Sequence, residues 1–275
     1  MFPWKTSSSR KRRSLNKILL PGTVWIASDI HLGPQTTATR NAFHAFLDQA
    51  RAQADALILC GDIFDAWVGD DFALTNPPPW LAGTLDKFKQ IGHQIPLWLG
   101  RGNRDFLMGP PLMRHLNARL LPERSCLMTD FGPILLSHGD EYCTADKGYQ
   151  RFRKLVRYPL LQGLFLSLNL NLRCKIANMA RNRSKAANRY KTIRVMDVAP
   201  DAVEKAFSGT DIPTMVHGHT HHPATHQLQV DGQARTRIVL PDWDYDGEQP
   251  PRGGWLAINQ QGLNVNSLAP QDLAQ

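Results

Sequence analysis

Thr23-Val-Trp-Ile-Ala27 runs straight into Ser28-Asp29-Ile30-His31, and this junction decides the fold. A short apolar run rich in β-branched and aromatic side chains reads as a buried strand. A polar turn carrying an aspartate and a histidine follows it at once. The same junction recurs four times along the chain. Ala56-Leu-Ile-Leu-Cys60 runs into Gly61-Asp62, and Ile95-Pro-Leu-Trp-Leu99 into Gly100-Arg-Gly-Asn-Arg-Asp105. Pro133-Ile-Leu-Leu136 runs into Ser137-His138-Gly139-Asp140, and Thr214-Met-Val216 into His217-Gly-His-Thr-His221. Helical patterns lie between the first runs, such as Arg40 to Gln53 with Phe43, Phe46 and Leu47 on one face. Strand–helix alternation predicts an α/β domain with a sheet of parallel character. Ligand sites in such sheets gather at the carboxyl ends of strands, where all five polar clusters sit.

The 275 residues and 42% hydrophobic content suit one large domain with a substantial core. Four cysteines without a C-x-x-C pair predict a reduced protein with incidental thiols. The start of the chain has no h-region long enough for a secretory signal, and no apolar run reaches the ~20 residues of a spanning helix. Residues 1–20 read as a disordered basic tail and 21–275 as the domain, with a helical insertion at about 145–200. Within the insertion the pattern predicts helices at Tyr149 to Val156, Leu160 to Met179 and Arg183 to Val195. Strands return from Arg235.

The net charge of +8 is unevenly spread. Residues 1–28 carry six basic and no acidic side chains, and residues 151–194 carry twelve basic and none acidic. The rest holds 14 basic against 24 acidic groups. Such asymmetry points to an anionic partner at those two segments: nucleic acid, lipid headgroups or a phosphorylated ligand.

Carboxylate, imidazole and amide oxygen ligands suit Mn, Fe and Zn, and two ions ~3.5–4 Å apart can share one carboxylate. With an extended backbone, Asp29 and His31 point the same way. Asp62 follows a glycine at a strand end, where it is placed to bridge. Asn103 offers an amide oxygen, and His138, His217 and His219 offer imidazoles. His221 and His222 adjoin the cluster as groups that orient ligands or touch substrate. His44, His93, His115 and His226 lie outside it and read as surface or structural residues.

In this order and with these gaps, D-x-H, G-D, G-N-R-D, H-G-D and H-G-H-T-H resemble the calcineurin-like metallophosphoesterase superfamily over residues 22 to about 223. The resemblance implies a four-layer αββα sandwich, two mixed sheets face to face with helices outside. It implies Asp29, His31 and His219 on a first ion, Asn103, His138 and His217 on a second, and Asp62 bridging. Arg104 is then placed to stabilise charge on the transferred phosphoryl group, and Asp105 to orient a metal-bound histidine.

Gly61-Asp-Ile-Phe-Asp-Ala-Trp-Val-Gly-Asp-Asp71, Gly102-Asn-Arg-Asp-Phe-Leu107, Tyr149-Gln-Arg-Phe-Arg153 and Ala180-Arg-Asn-Arg-Ser-Lys-Ala-Ala-Asn188 resemble the UDP-2,3-diacylglucosamine hydrolase family of lipid A synthesis. This second resemblance implies hydrolysis of a UDP-linked diacyl sugar to UMP and a lipid sugar phosphate, with Mn²⁺ as metal. It also implies work at the inner face of the cytoplasmic membrane of a Gram-negative bacterium. Asn103, Arg104, Asp146, Tyr149, Arg181, Ser184, Asn188 and Lys191 would contact the substrate. Leucines at 160, 161, 164, 166, 168, 170 and 172, beside twelve basic residues, fit acyl chains and phosphates. His222 and Ala145 depart from the family's pattern, and the basic tail and Pro241-Asp-Trp-Asp-Tyr-Asp246 are not general in it. Two other readings stand beside this one: a metal-dependent nuclease or nucleotide phosphodiesterase, and a non-catalytic scaffold. Sparse aromatic residues in 151–194 argue against nucleic acid, and the full ligand set argues against a scaffold.

Overall fold

Alternation along the strands sorts side chains into layers. In β2 (Val24–Ala27) and β3 (Ala56–Leu59), Val24, Ile26, Ala56 and Ile58 face one way and Trp25, Ala27, Leu57 and Leu59 the other. Both faces are buried, as a near-continuous apolar run requires. The computed structural model describes residues 15–188 and 197–268, with side chains of the first segment described as far as Arg183.

Two six-stranded mixed sheets result. One runs β12-β11-β2-β3-β4-β5, built with β4 (Leu97–Leu99), β5 (Arg119–Leu120), β11 (Gly254–Asn259) and β12 (Gly262–Ser267). Its four strands from β2 to β5 are parallel. The other runs β1-β6-β7-β8-β10-β9. It contains β1 (Asn16–Leu20), β6 (Arg124–Thr129), β7 (Gly132–Ser137), β8 (Thr214–His217), β9 (Ala224–Val230) and β10 (Gln233–Val239). Val24, Ile26 and Ile58 meet Leu127, Ile134, Leu136, Val216 and Ile238 between the sheets. On the outer face of the first sheet lie α1 (Thr37–Gln53), α3 (Pro79–Gly92) and α4 (Pro110–Leu116), packed through Phe43, Phe46, Leu85, Phe88 and Leu112. The outer face of the second is covered by α8 (Pro200–Phe207) through Val203, Ala206 and Phe207. These are the four layers of an αββα sandwich.

Four strands were not expected from the sequence: β1, the two-residue β5, β6 and β9. Residues 16–20, expected in the basic tail, form β1: it pairs in parallel with β6 and buries Ile18 and Leu20 between the sheets. Residues 1–14 lie outside the described residues. The edge strand β9 was not expected, because its exposed polar side chains hide the alternation. Its signal was the Asp231-Gly232 turn into β10, where both residues have positive φ, as a two-residue hairpin demands.

Between β7 and α8 come α5 (Lys147–Val156), α6 (Pro159–Leu166) and α7 (Leu170–Asn188). The single helix expected from Leu160 to Met179 is broken at Ser167 to Asn169. There the Asn169 side chain accepts the Leu172 N–H and starts a new helix. Helix α7 then continues through Met179 to Asn188 without the expected break, and the remainder of the third expected helix lies outside the described residues. Among those residues no helix is long and apolar enough to cross a membrane. A short helix, α2 (Asp70–Leu74), follows the loop after β3.

Candidate metal centre

The loops after β2, β3, β4, β7 and β8 meet at the carboxyl ends of both sheets, stitched by backbone hydrogen bonds. Asp29 N–H donates to Gly61 O (3.1 Å), His31 N–H to Asp62 O (2.9 Å) and Gly218 N–H to His138 O (2.9 Å). Carboxylates complete the stitching, because Asp29 Oδ2 accepts the His219 N–H and Asp62 Oδ1 the Arg104 N–H, each at 2.8 Å. A Cβ at Gly102 would collide with the Asp62 carboxylate and one at Gly218 with that of Asp29, so these two approaches require glycine.

Five of the seven non-glycine residues with positive φ among the described residues are Asp29, His31, Asp62, His219 and His221. Left-handed backbone costs of order 1–3 kcal/mol at such residues and persists where the surroundings hold it. The extended backbone expected for Asp29 to His31 is therefore absent. Asp29 and His31 have φ of 58° and 53°, and that local turn brings both side chains to one place.

Two groups of ligand atoms result, each within 4.8 Å: Asp29, His31 and His221, and Asp62, His138 and His219. Asp62 Oδ2 also lies 4.0 Å from His31 Nδ1 and 3.8 Å from His138 Nε2, so it stands between the groups. Asn103 Oδ1 is 2.9 Å from His219 Nδ1 and 3.4 Å from His138 Nε2. His31 Nε2 faces His221 Nε2 at 3.2 Å.

The residues fit a pair of cations. Asp29 Oδ1 and His31 Nδ1 are buried without a hydrogen bond, which is costly unless something else satisfies them. Burial drives His31 and His219 down to about 3, so both imidazoles stay neutral, the form that ligates. Burial likewise raises Asp62 to about 7, a strained position for a carboxylate that a cation would relieve. Burial lowers His221, but the neighbouring Asp29 carboxylate outweighs it and raises this imidazole to about 8.

The structure does not bring His217 to either group. It is the last residue of β8 and fully buried. Its Nδ1 is 2.8 Å from Gly218 O and its Nε2 3.2 Å from Arg237 Nη1, while its ring leans on Tyr142. The chain leaves the strand only after it, and the turn delivers His219 and His221. His221, read from the sequence as an adjoining group, stands with Asp29 and His31 where His219 was expected, and His219 stands in the group where His217 was expected. Asp105, expected to orient a metal-bound histidine, accepts backbone N–H groups from Ile63 (2.7 Å), Gly102 (2.7 Å), Asp62 (3.3 Å) and Phe64 (3.4 Å). It locks the Asp62 loop to the Asn103 loop.

Among the expected substrate contacts, Arg104 Nη1 lies 3.2 Å from Asp65 Oδ1, and Arg181 of α7 pairs with the other oxygen of Asp65. Two guanidinium groups thus converge on one carboxylate beside the metal groups. Asp146 caps α5 by accepting the Tyr149 N–H (3.0 Å). Tyr149 donates its hydroxyl to Asp140 (2.6 Å) and stacks on His219 at 5.9 Å. Ser184 and Asn188 lie on α7 with side chains outside the described set, and Lys191 lies outside the described residues. Asp140 was missed. Buried, it also receives Arg153 (2.7 Å) and Arg157 (3.4 Å), and anchors α5 to the site. Its signal was the acid in His138-Gly-Asp140 opposite an all-basic segment.

A four-layer sandwich with two ligand groups at the strand ends defines a phosphoesterase scaffold, and a family model described as calcineurin-like phosphoesterase matches residues 22–223. The chain belongs to that family. Among its relatives, a Bordetella parapertussis protein named UDP-2,3-diacylglucosamine hydrolase is 52% identical over 258 residues, covering 94% of this chain and 100% of that one. Proteins of the same name from Shewanella baltica and Serratia proteamaculans are 40% and 42% identical. They cover 87% and 82% of this chain, and 95% and 92% of their own length.

Proposed function

We propose that this chain is a metal-dependent hydrolase that cleaves the pyrophosphate of UDP-2,3-diacylglucosamine to UMP and 2,3-diacylglucosamine 1-phosphate in lipid A biosynthesis. The observation that carries the reading is the position of the two ligand groups: they open beside helices offering cationic and apolar side chains together. Asp29, His31, His221 and Asp62 hold one divalent ion, and Asp62, Asn103, His138 and His219 the other, with Mn²⁺ as the metal. When bound, such a pair supplies Lewis acidity to the phosphoryl oxygens and makes water nucleophilic near neutral pH.

The protein's own groups do the rest. Arg104, released from Asp65 by an anionic substrate, meets charge building on the phosphoryl oxygens. Arg181 turns with it toward the sugar phosphate, and Ser184, Asn188, Lys191, Asp146 and Tyr149 complete the sugar contacts. Helices α5, α6 and α7 act as a lid whose apolar side takes the acyl chains. Leu160 (74% exposed), Leu164 (65%) and Met179 (60%) support this part, being unpaid apolar surface in a water-filled setting. The same helices, with their basic residues, hold the enzyme on the anionic inner face of the cytoplasmic membrane.

The test is hydrolysis of the UDP-diacyl sugar by chelator-stripped protein before and after Mn²⁺, Mg²⁺ or Zn²⁺ is returned, with single-stranded DNA as a parallel substrate. UMP release restored by Mn²⁺ supports the reading. Cleavage of DNA alone would replace it with the nuclease, and inertness toward both with the scaffold.

A further inference from the structure

The segment after β10, Pro241-Asp-Trp-Asp-Tyr-Asp246, passes directly behind the metal centre. Trp243 N–H donates to Asp29 O at 3.0 Å, and Leu240 N–H to His217 O at 2.7 Å, so this segment joins the first and last ligand loops. Between those two anchors stands Asp242, 2% exposed. Its Oδ2 lies 3.4 Å from His221 Nδ1. The other ring nitrogen of His221, Nε2, faces Asp29 Oδ1 at 3.4 Å and His31 Nε2 at 3.2 Å.

Asp242 is itself held still. Arg252 donates Nε to Oδ1 (3.0 Å) and Nη2 to Oδ2 (2.7 Å), a two-pronged grip that fixes the carboxylate plane. Arg252 is held in turn by paired backbone hydrogen bonds with Asp244 (2.8 and 3.0 Å), and its Nη1 lies 3.6 Å from the Asp244 carboxylate. A buried carboxylate so fixed has one free task, and the imidazole edge in front of it supplies that task.

We propose that Asp242 is a positioning residue for the metal centre: it holds the His221 proton on Nδ1, turns Nε2 toward the ligand group, and is kept in place by Arg252. Neutral imidazole ligates through the nitrogen that lacks the proton, so fixing the proton on Nδ1 selects Nε2. A carboxylate behind a ligating histidine also raises the basicity of the ligand. His221 needs this help more than its partners, being the solvent-facing member of its group. This gives Pro241 to Asp246 a role that the motifs did not assign. The inference rests on the reading of His221 as a ligand.

The test is Mn²⁺ affinity of the metal-stripped full-length protein, measured by titration, with no substrate present. The variants are Asp242→Asn, Arg252→Gln, His221→Ala and the double variant Asp242→Asn with His221→Ala. Arg252 is 42% exposed, so freeing it leaves a hydrated guanidinium, and apo-protein thermal unfolding checks each fold. Asp242→Asn should weaken one of the two Mn²⁺ sites about 10-fold, within the ~10–100-fold typical of such outer partners. Arg252→Gln should cause a smaller loss at the same site. In the His221→Ala background, Asp242→Asn should add nothing, because the group it acts through is gone. If His221→Ala itself binds both ions normally, the ligand assignment fails. If His221→Ala loses an ion while Asp242→Asn retains wild-type affinity, or costs the same factor in both backgrounds, the positioning role alone is overturned.

Discussion

His217 and His221 stand four residues apart, and the fold sends their rings into different surroundings. His217 still belongs to β8, so its side chain obeys the strand and is buried against Tyr142 and Arg237. His221 is itself left-handed, as is His219 two residues before it, and its ring reaches Asp29. We therefore expect His221→Ala to lose one bound cation by elemental analysis. His217→Ala should keep both, yet lose ~1–3 kcal/mol of stability, because a buried guanidinium is left without its partner. Cation loss from a stable His217→Ala protein would restore His217 as a ligand. Arg104→Ala should lower kcat by roughly 10²–10³, the scale for one preorganised donor, with metal content unchanged. A variant depleted of metal would give Arg104 a structural role instead. Asp29, His31, Asp62, Asn103, His138 and His219 were legible as one cluster because each ends an apolar run. His221 was not, since H-G-H-T-H offers three imidazoles and nothing in it marks where the strand stops. The backbone grip of Asp105 was not legible, because three of its partners belong to a loop some 40 residues away.

Helices α1 and α3 meet through His44, whose Nε2 lies 2.9 Å from Thr84 Oγ1. Burial and then the charges of Lys87 and Arg40 push this imidazole from 6.5 down to about 4. Between those values the unfolded chain binds a proton that the folded protein refuses, so stability rises with pH from about 4 to 6.5 and is lost on acidification. His44→Gln should flatten that part of the stability–pH curve by urea denaturation; an unchanged slope would mean that His44 is protonated in the native state. Helices α5 and α7 are tied down by charge rather than by buried apolar side chains. Arg153 and Arg157 hold α5 to Asp140 and Glu123, and the buried Arg173 holds α7 to Asp71 and the Val68 carbonyl. Phe165 packs on the body's core, whereas Leu164 points into water. Leu164→Asp should thus raise KM for the diacyl substrate and leave hydrolysis of bis-p-nitrophenyl phosphate unchanged. Equal losses on both would remove the lid. Helicity here was readable from periodicity, but the break at Asn169 depended on a side-chain cap, and the anchoring depended on distant carboxylates.

Across the whole molecule, an acidic body carries a basic helical segment beside its metal centre. That division suits a substrate that is half phosphate and half hydrocarbon. It also predicts that the protein sediments with vesicles containing anionic lipid and is released by salt, since surface attraction fades over a Debye length of ~10 Å at 0.1 M. Equal binding to neutral vesicles would assign the contact to the apolar side chains alone. The layering of the sandwich was legible from strand–helix alternation together with the family's motifs. The edge strands β1, β5 and β9 were not, because an edge buries one face at most and carries little apolar signal, and β6 was not because Arg124, Ser125 and Thr129 interrupt its apolar residues. With a pair of divalent ions in this centre, the protein would hydrolyse a lipid-linked pyrophosphate. The direct measurement supplies UDP-2,3-diacylglucosamine to metal-stripped protein, returns Mn²⁺, and follows products by phosphorus NMR. UMP and the diacylglucosamine 1-phosphate should appear together, only after metal is restored. A Mn²⁺-loaded protein that cleaves bis-p-nitrophenyl phosphate and leaves the lipid-linked pyrophosphate intact would contradict the account.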